Sequence, residues 1–326
     1  MSTFKYINYI SSLILLLGVG MLYDRFKSKY EMDDNVDEYF LIKKYLLNES
    51  SLANSKKPLL WIHIEHDVNS RNWESFGSRT NTNLNQPYQF LTISSIINRC
   101  GDSFNIVIID DNTFNKIIPG WSHDLSSLPD PIKSHFRQLA LARTLYLYGG
   151  LLVPSSFICI KDLIMMYNDN ISTHGLFFGE FVNKSVTCDS TKFFTSNKLM
   201  GCSKDNQIMA KLINHIEILI SQDYTDEVEF NGKIQQKCND LFITGEAGCI
   251  SASQLGVKTD KGEIVTIEDL FGNSFIKFTP KLYGVYIPAD EILKRTNYEW
   301  FARMNPEQIL QSNTIVGKLL LTNSNM

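Results

Sequence analysis

Two adjacent aspartates at the end of an apolar run are the first candidates for chemistry. Asp110 and Asp111 directly follow Phe104–Ile109, a run that predicts a buried strand. Ligand clefts of open α/β sheets form outside the carboxyl ends of the strands, so these carboxylates suit contact with a ribose or a metal ion. The structural alternative is a turn, in which Asp111 or Asn112 caps the short helix that follows.

The polar loop after the first predicted strand supplies a second set of candidates. The apolar run Leu59–Ile64 predicts that strand, and a stretch rich in Asn, Ser, Thr and Arg follows it. Arg71, Trp73 and Arg79 in this loop suit a nucleotide or a sugar, because aromatic faces stack on rings and the loop amides hydrogen-bond to hydroxyls. A solvated surface loop is the alternative.

Three further side chains and one helical arginine are weaker candidates. His63, Glu65 and His66 have metal-binding chemistry, but strand alternation puts His63 and Glu65 on one face and His66 on the other, which disfavours a metal site. Arg143 lies on the apolar stripe of a predicted helix. A buried guanidinium there needs an anionic partner, which is either a structural carboxylate or a ligand phosphate.

Composition and missing motifs exclude several classes of function. A hydrophobic content of 44% with 20% charged residues is typical of a globular protein and excludes wholesale disorder. The formal net charge of -4 disfavours a nucleic-acid partner. The six cysteines form no CxxC pair, which excludes zinc-ribbon and thioredoxin-type sites. The sequence also lacks a GxSxG nucleophile elbow, a GxxxxGK[ST] phosphate loop and a GxGxxG after a strand.

The elements that position these residues follow an α/β order. A strand, a helix over Pro87–Arg99 and a second strand predict a parallel pair joined by a crossover. No long linker interrupts the chain after that, so we predict one domain over residues 58–326. Its later elements are predicted as strands at Gly175–Gly179 and Phe193–Met200 and helices at Asp205–Ser221, Gly232–Leu241, Pro288–Arg295 and Pro306–Leu321.

The N-terminal part predicts a membrane anchor. Residues 7–23 carry no charge, and their length is at the short end of what spans a bilayer. A cleaved signal peptide is the alternative, but no small-residue cleavage site follows. Residues 1–6 are then a tail, and residues 24–57 a polar stalk. The flanking charges favour a cytoplasmic domain and three Asn-x-Ser sequons favour a lumenal one, so the side of the membrane stays open.

The segment Arg137–Phe157 carries a family resemblance. A predicted helix over Pro131–Tyr148 ends at Gly149-Gly150, where we expect a positive φ, and a strand over Leu151–Val153 follows. This arrangement resembles the signature of glycosyltransferases with a DXD sugar-binding region, which include capsular-polysaccharide-synthesis proteins. The resemblance implies an α/β, GT-A-like (Rossmann-like) fold: a mostly parallel sheet flanked by helices, here preceded by one transmembrane helix.

The sequence departs from that family where the metal is expected. In the family, an Asp-x-Asp at the end of the strand holds a divalent cation, which neutralises the leaving nucleoside diphosphate. The two aspartates fall on Pro154 and Ser156 here. The Asp and Arg that the family carries earlier in the helix fall on Gln138 and Leu141. We therefore expect no metal cofactor, and Ser155 and Ser156 stay candidates for substrate contact.

Two shorter segments carry weaker resemblances. Ser196–Gly201, followed by a predicted helix, resembles the acceptor-side strand of the family. Thr244, Gly245 and Glu246 resemble its Thr-Gly-Pro turn, which implies that their backbone groups line the cleft. The richness in Asn, Ile, Lys, Phe and Tyr suggests an AT-rich genome, and degenerate members of this family occur in large DNA viruses.

These features predict one of two functions. The first is a membrane-anchored glycosyltransferase-like protein, which transfers a sugar from a nucleotide sugar to a glycan or lipid-linked acceptor. Arg71, Arg79 or Arg143 would then neutralise the diphosphate in place of a metal. The alternative is a non-catalytic, membrane-anchored binding or structural protein that reuses the fold, and the lost aspartates favour it.

Overall fold

A computed structural model of the chain describes residues 57–65, 86–182, 193–222, 226–294 and 296–324. The predicted anchor, nearly all of the predicted stalk and the loop with Arg71 and Arg79 lie outside these residues. Within the described ranges, no helix combines the length and the apolar character needed to cross a bilayer.

The described chain is a mixed α/β structure with eight strands. The strands are β1 (Leu59–His63), β2 (Asn105–Ile109), β3 (Gly150–Leu152), β4 (Phe157–Cys159), β5 (Leu176–Val182), β6 (Phe193–Cys202), β7 (Gly248–Ile250) and β8 (Gly284–Tyr286). The helices are α1 (Tyr88–Cys100), α2 (Phe114–Ile117), α3 (Ile132–Tyr148), α4 (Ile164–His174), α5 (Gln207–Ser221), α6 (Glu227–Ile243), α7 (Ile267–Phe271), α8 (Ala289–Lys294), α9 (Glu299–Ala302), α10 (Pro306–Gln311) and α11 (Ile315–Ser324).

Six of these strands form one mostly parallel sheet in the order β2-β1-β3-β6-β5-β7. The pairs β1–β2, β1–β3 and β5–β7 are parallel, and β6 is antiparallel to both of its neighbours. The strands β4 and β8 form a separate antiparallel ribbon, in which Phe157 pairs with Tyr286. The sequence prediction of an α/β fold with a mostly parallel sheet is confirmed.

Helices cover the sheet because successive side chains of each strand point to opposite faces. On β1, Leu59 and Trp61 pack into a core with the buried faces of α3, α5 and α6. Leu60 and Ile62 are completely buried on the other face. A second core joins α1 and β8 to the C-terminal helices, with Phe301 and Tyr88 in contact at its centre.

The predicted elements agree with the observed ones where a long apolar run or a glycine marks them. The first two strands and the helices α1, α3 and α5 lie within two residues of their predicted bounds. The predicted helix Pro306–Leu321 is wrong as one element, because α10 ends at Gln311. The Thr314 hydroxyl then accepts a hydrogen bond from the Gly317 N–H at 2.9 Å and starts α11 as an N-cap does.

Candidate functional site

The carboxyl ends of β1, β2 and β3 meet at one edge of the sheet, which we call the carboxyl edge. From β1 the chain crosses through α1 to β2 on one side, whereas β3 lies on the other side of β1. The strand order therefore reverses between β1 and β3. In open α/β sheets this topological switch point is where the connecting loops diverge and leave a crevice for ligands.

An ion cluster of His63, Glu65, Asp111 and Arg137 lies at the carboxyl edge. The Arg137 guanidinium donates hydrogen bonds through Nε and Nη2 to both oxygens of Asp111, at 2.7–3.0 Å. Its Nη1 lies 3.5 Å from Glu65 Oε2. The His63 ring lies 3.0 Å from Asp111 Oδ1 and stacks on Phe114. Three elements that are distant in sequence are thereby joined where β1 and β2 end.

Helix α3 brings Arg137 to this edge because of its direction. The helix ends at Tyr148, immediately before β3 begins, so its first two turns lie beside the carboxyl end of that strand. The Arg137 side chain is only 6% exposed. A guanidinium so deeply buried needs anionic partners, and Asp111 and Glu65 supply them.

Helix α3 places Arg143 elsewhere. Its Nη2 donates to Glu217 Oε1 of α5 at 2.6 Å, and its guanidinium lies over the Trp121 ring. The anionic partner of Arg143 is therefore a structural carboxylate, one of the two alternatives that the sequence left open. This arginine is not part of the ion cluster.

The charge of Asp111 is maintained by its neighbours. Burial by itself raises the pKa of this carboxyl group, but the hydrogen bonds from His63 and Arg137 outweigh burial and hold the pKa well below its ordinary value. Asp111 is therefore an anion at neutral pH, and both of its oxygens already accept hydrogen bonds from protein donors.

A chain of amides continues the carboxyl edge from α3 to β6. Asn197 donates through Nδ2 to Gln138 Oε1 at 2.7 Å, and Gln138 donates through Nε2 to Asn231 Oδ1 of α6 at 2.6 Å. Gln138 is at the position where the glycosyltransferase resemblance places an aspartate. The amides form a neutral network at this position, of the kind that can exchange hydrogen bonds with sugar hydroxyls.

A bulge in β6 projects Lys198 next to this network. Phe178 of β5 pairs with Met200 and the next residue, Gly179, pairs with Ser196, so residues 197–199 have no partner in the β5–β6 register. Lys198 Nζ donates to the Tyr286 hydroxyl at 2.9 Å and lies 3.4 Å from Asp290 Oδ2. Burial raises the pKa of Tyr286 to about 12, so this hydroxyl keeps its proton at neutral pH.

The residues at the position where the glycosyltransferase resemblance places a metal do not fit a divalent cation. Pro154 offers no side-chain ligand, and the Ser156 hydroxyl donates to the Ile287 carbonyl at 2.7 Å. Ser155 donates to Gln89 Oε1 at 3.3 Å. Magnesium and manganese prefer carboxylate oxygens that are not already engaged. Within the described ranges, no three His, Cys, Asp or Glu side chains form a group suited to a metal.

The two candidate aspartates take different roles. Asp110 Oδ1 accepts hydrogen bonds from the Thr113 backbone at 2.9 Å and the Thr113 hydroxyl at 2.6 Å, which makes it the turn residue before α2. The sequence assigned that structural role to Asp111 or Asn112. Asp111 instead points to His63 and Arg137, so of the two aspartates it is the one in the ion cluster.

Five predicted site residues lie at the opposite edge of the sheet. Gly149 precedes β3, Gly150 is its first residue, and residues 244–246 precede β7, so all of them are at the amino ends of parallel strands. Thr244 donates to the Leu241 carbonyl, Gly245 adopts a φ of 76°, and Glu246 pairs with Lys211 at 2.5 Å. The structure places this turn at the edge opposite the ion cluster. It connects the end of α6 to the start of β7.

Sequence reasoning missed the partners that complete the carboxyl edge. The sequence patterns do not identify Arg137, Lys198 or Tyr286 as site residues. A usable signal existed for His63 and Glu65, since both end a predicted buried strand just as Asp111 does. No comparable signal existed for Tyr286, because its neighbours at this edge are far away in sequence.

Comparison with known proteins adds no family to this geometry. No protein-family model matches the chain, and no curated protein sequence matches it either. The proposals below therefore rest on the sequence and on the contacts of the described residues.

Proposed function

We propose that this chain is a glycosyltransferase-like protein that binds a nucleotide sugar at its carboxyl edge without a divalent metal. The observation that carries the proposal is the ion cluster with its amide network, which lies at the switch point of a mostly parallel sheet. In such sheets the switch point is the place where nucleotides bind.

The architecture supports the finer assignment to a GT-A-like fold. The mostly parallel six-stranded sheet with its flanking helices agrees with the fold that the resemblance of the segment Arg137–Phe157 implies. The membrane anchor over residues 7–23 belongs to this proposal as well, as does a glycan or lipid-linked acceptor.

The side chains at the carboxyl edge suit a sugar better than they suit a metal. Glu65 is 59% exposed and Asn197 is partly exposed, so both can reach the hydroxyls of a bound sugar. Arg137 holds Asp111 in one orientation and is itself shielded. In this proposal Arg71 and Arg79 stay the candidates that neutralise the diphosphate, because their loop follows β1.

A specific observation also favours the non-catalytic alternative. In the ion cluster and around Lys198, three carboxylates, Glu65, Asp111 and Asp290, face two cations, Arg137 and Lys198. Without a metal, the net negative charge of these groups repels a diphosphate, whereas a neutral glycan is not repelled. A protein that binds a glycan and transfers nothing would need no further positive charge.

A turnover assay separates the two functions. We expect the full-length chain, incubated with uridine and guanosine diphosphate sugars in EDTA, to release nucleoside diphosphate from one of them as the sugar is transferred to water. The Asn197→Ala variant should release it more slowly, because it loses a neutral donor and acceptor at the edge. Lys211→Met, which changes an ion pair at the opposite edge, is the control. Binding of a nucleotide sugar without release would favour the non-catalytic protein.

A further inference from the structure

The cations at the carboxyl edge differ in how far a ligand can reach them. Arg137 is 6% exposed and donates hydrogen bonds to both oxygens of Asp111. Lys258 is 21% exposed and pairs with Glu180 at 2.8 Å, while its ammonium group also lies over the Phe193 ring. Lys198 is 35% exposed, and its carboxylate partner is 3.4 Å away. Of these three cations, Lys198 is therefore the most accessible.

The contacts of Lys198 link it to the segment of Pro154 and Ser156, where the glycosyltransferase resemblance places two metal-binding aspartates. Tyr286, which accepts a hydrogen bond from Lys198 Nζ, pairs across the ribbon with Phe157. The residue before Phe157 is Ser156, whose hydroxyl and carbonyl both bond to Ile287. The ammonium group thus bonds to a side chain of the two-stranded ribbon, and the other strand of that ribbon begins directly after Ser156.

Lys198 also lies between the two sheets. It belongs to β6 of the large sheet, and its partners belong to β8 and α8. Glu65, at the end of β1, is close enough to raise the pKa of Tyr286 together with Asp290, although burial is the main cause of that shift. The hydroxyl that Lys198 contacts is therefore within electrostatic range of Glu65 in the ion cluster.

We propose that Lys198 binds the diphosphate group of the nucleotide, supplying positive charge at the position that a metal ion would otherwise occupy. This inference rests on the proposed function and names the residue that makes it possible without a metal. An ammonium group offers three donors and one full charge, which suits phosphate oxygens. Asp290, which is 44% exposed, holds the ammonium in place and competes with the ligand for it.

The protonation state of Lys198 agrees with this role. The surrounding protein disfavours its charge, but Asp290 and Tyr286 outweigh that effect and raise the pKa of the ammonium well above its ordinary value. Lys198 is then a permanent cation over the physiological pH range.

Calorimetric titration of the full-length chain in EDTA tests the assignment, with UDP and GDP as probes and uridine and guanosine as their uncharged counterparts. Lys198→Met should weaken binding of the preferred diphosphate about tenfold or more, because a charge-assisted hydrogen bond is lost. Nucleoside affinity should not change. Lys198→Arg should keep most of the affinity, and Asp290→Asn should raise it. Lys211→Met removes a paired lysine at the opposite edge of the sheet, so its diphosphate affinity should stay within about twofold of the wild type.

The outcomes distinguish this inference from the function on which it rests. If the wild type binds UDP or GDP and Lys198→Met binds it equally well, the assignment of Lys198 is overturned and the nucleotide site stands. If the wild type binds neither diphosphate, both proposals fail. A melting curve shows whether Lys198→Met is folded. If it is not, Asp290→Asn decides, since an unchanged diphosphate affinity in that variant would also overturn the assignment.

Discussion

Replacing Arg137 with methionine is expected to lower the free energy of unfolding by about 3–5 kcal/mol. The reason is the isolation of Asp111, which is 22% exposed and would keep His63 as its remaining partner in the ion cluster. A carboxylate that loses the main partner of its charge costs far more than the ion pair itself contributed. Chemical denaturation monitored by tryptophan fluorescence measures the loss.

A double variant separates this effect from simple loss of packing. Arg137→Met with Asp111→Asn removes both charges, so we expect it to recover part of the stability that Arg137→Met alone loses. If the double variant is less stable by the sum of the two single effects, the pair is not coupled and the account of the ion cluster is wrong.

Lowering the pH should reduce the difference in unfolding free energy between the wild type and Arg137→Met. The pKa of Asp111 is lowered in the folded protein, so its contribution to stability is complete above the unfolded value of about 4 and is lost as the pH falls through the folded value. The variant has less of this contribution to lose. Its unfolding free energy should therefore approach that of the wild type as the pH falls below about 4.

Replacing Gly150 with alanine is expected to destabilise the fold by about 2–5 kcal/mol. Gly150 has a φ of 108°, and a Cβ atom there would lie 2.4 Å from the Leu59 carbonyl oxygen and 3.0 Å from the Trp61 ring nitrogen. The Trp61 ring nitrogen also donates to the Gly149 carbonyl at 2.8 Å, so the backbone cannot move away without breaking a buried hydrogen bond.

Gly120 is the matched control for this substitution. Its φ of 74° is also positive, but no atom lies within 4 Å of the position of a Cβ. Gly120→Ala should therefore cost only the backbone strain of about 1–2 kcal/mol. Equal melting temperatures for the two variants would contradict the close approach of Gly150 to β1.

Local patterns predicted the part of the fold that local forces determine. The strands β1 and β2 are buried because Leu59–Ile62 and Ile106–Ile109 are apolar throughout, and α3 ends at Gly149 because that glycine has a φ of 69°. The expected positive φ at Gly149-Gly150 is confirmed at both residues. By contrast, the three-residue strands β4 and β8 were not predicted, since each is stabilised by pairing with a segment distant in sequence.

The candidate site was predicted less completely because it depends on strand direction. The sequence identified Asp111 at the carboxyl edge, but a tripeptide such as Thr244-Gly245-Glu246 carries no information about which end of a strand it will occupy. Lys198 reaches the edge through a bulge, and the register of β6 cannot be read from its alternation. The role of Arg137 depends on the direction of α3 relative to β3, which determines the edge of the sheet that its side chain reaches.

The most direct test of the account is a titration of the full-length chain with uridine and guanosine diphosphate sugars, in EDTA and again in Mn²⁺. Because Pro154 and Ser156 supply no metal ligand and Asp111 is occupied by Arg137, we predict the same affinity in both conditions. Binding in neither condition would contradict the nucleotide site and favour the non-catalytic protein. A strong Mn²⁺ requirement that disappears in the Asp110→Asn, Asp111→Asn double variant would contradict the metal-free account.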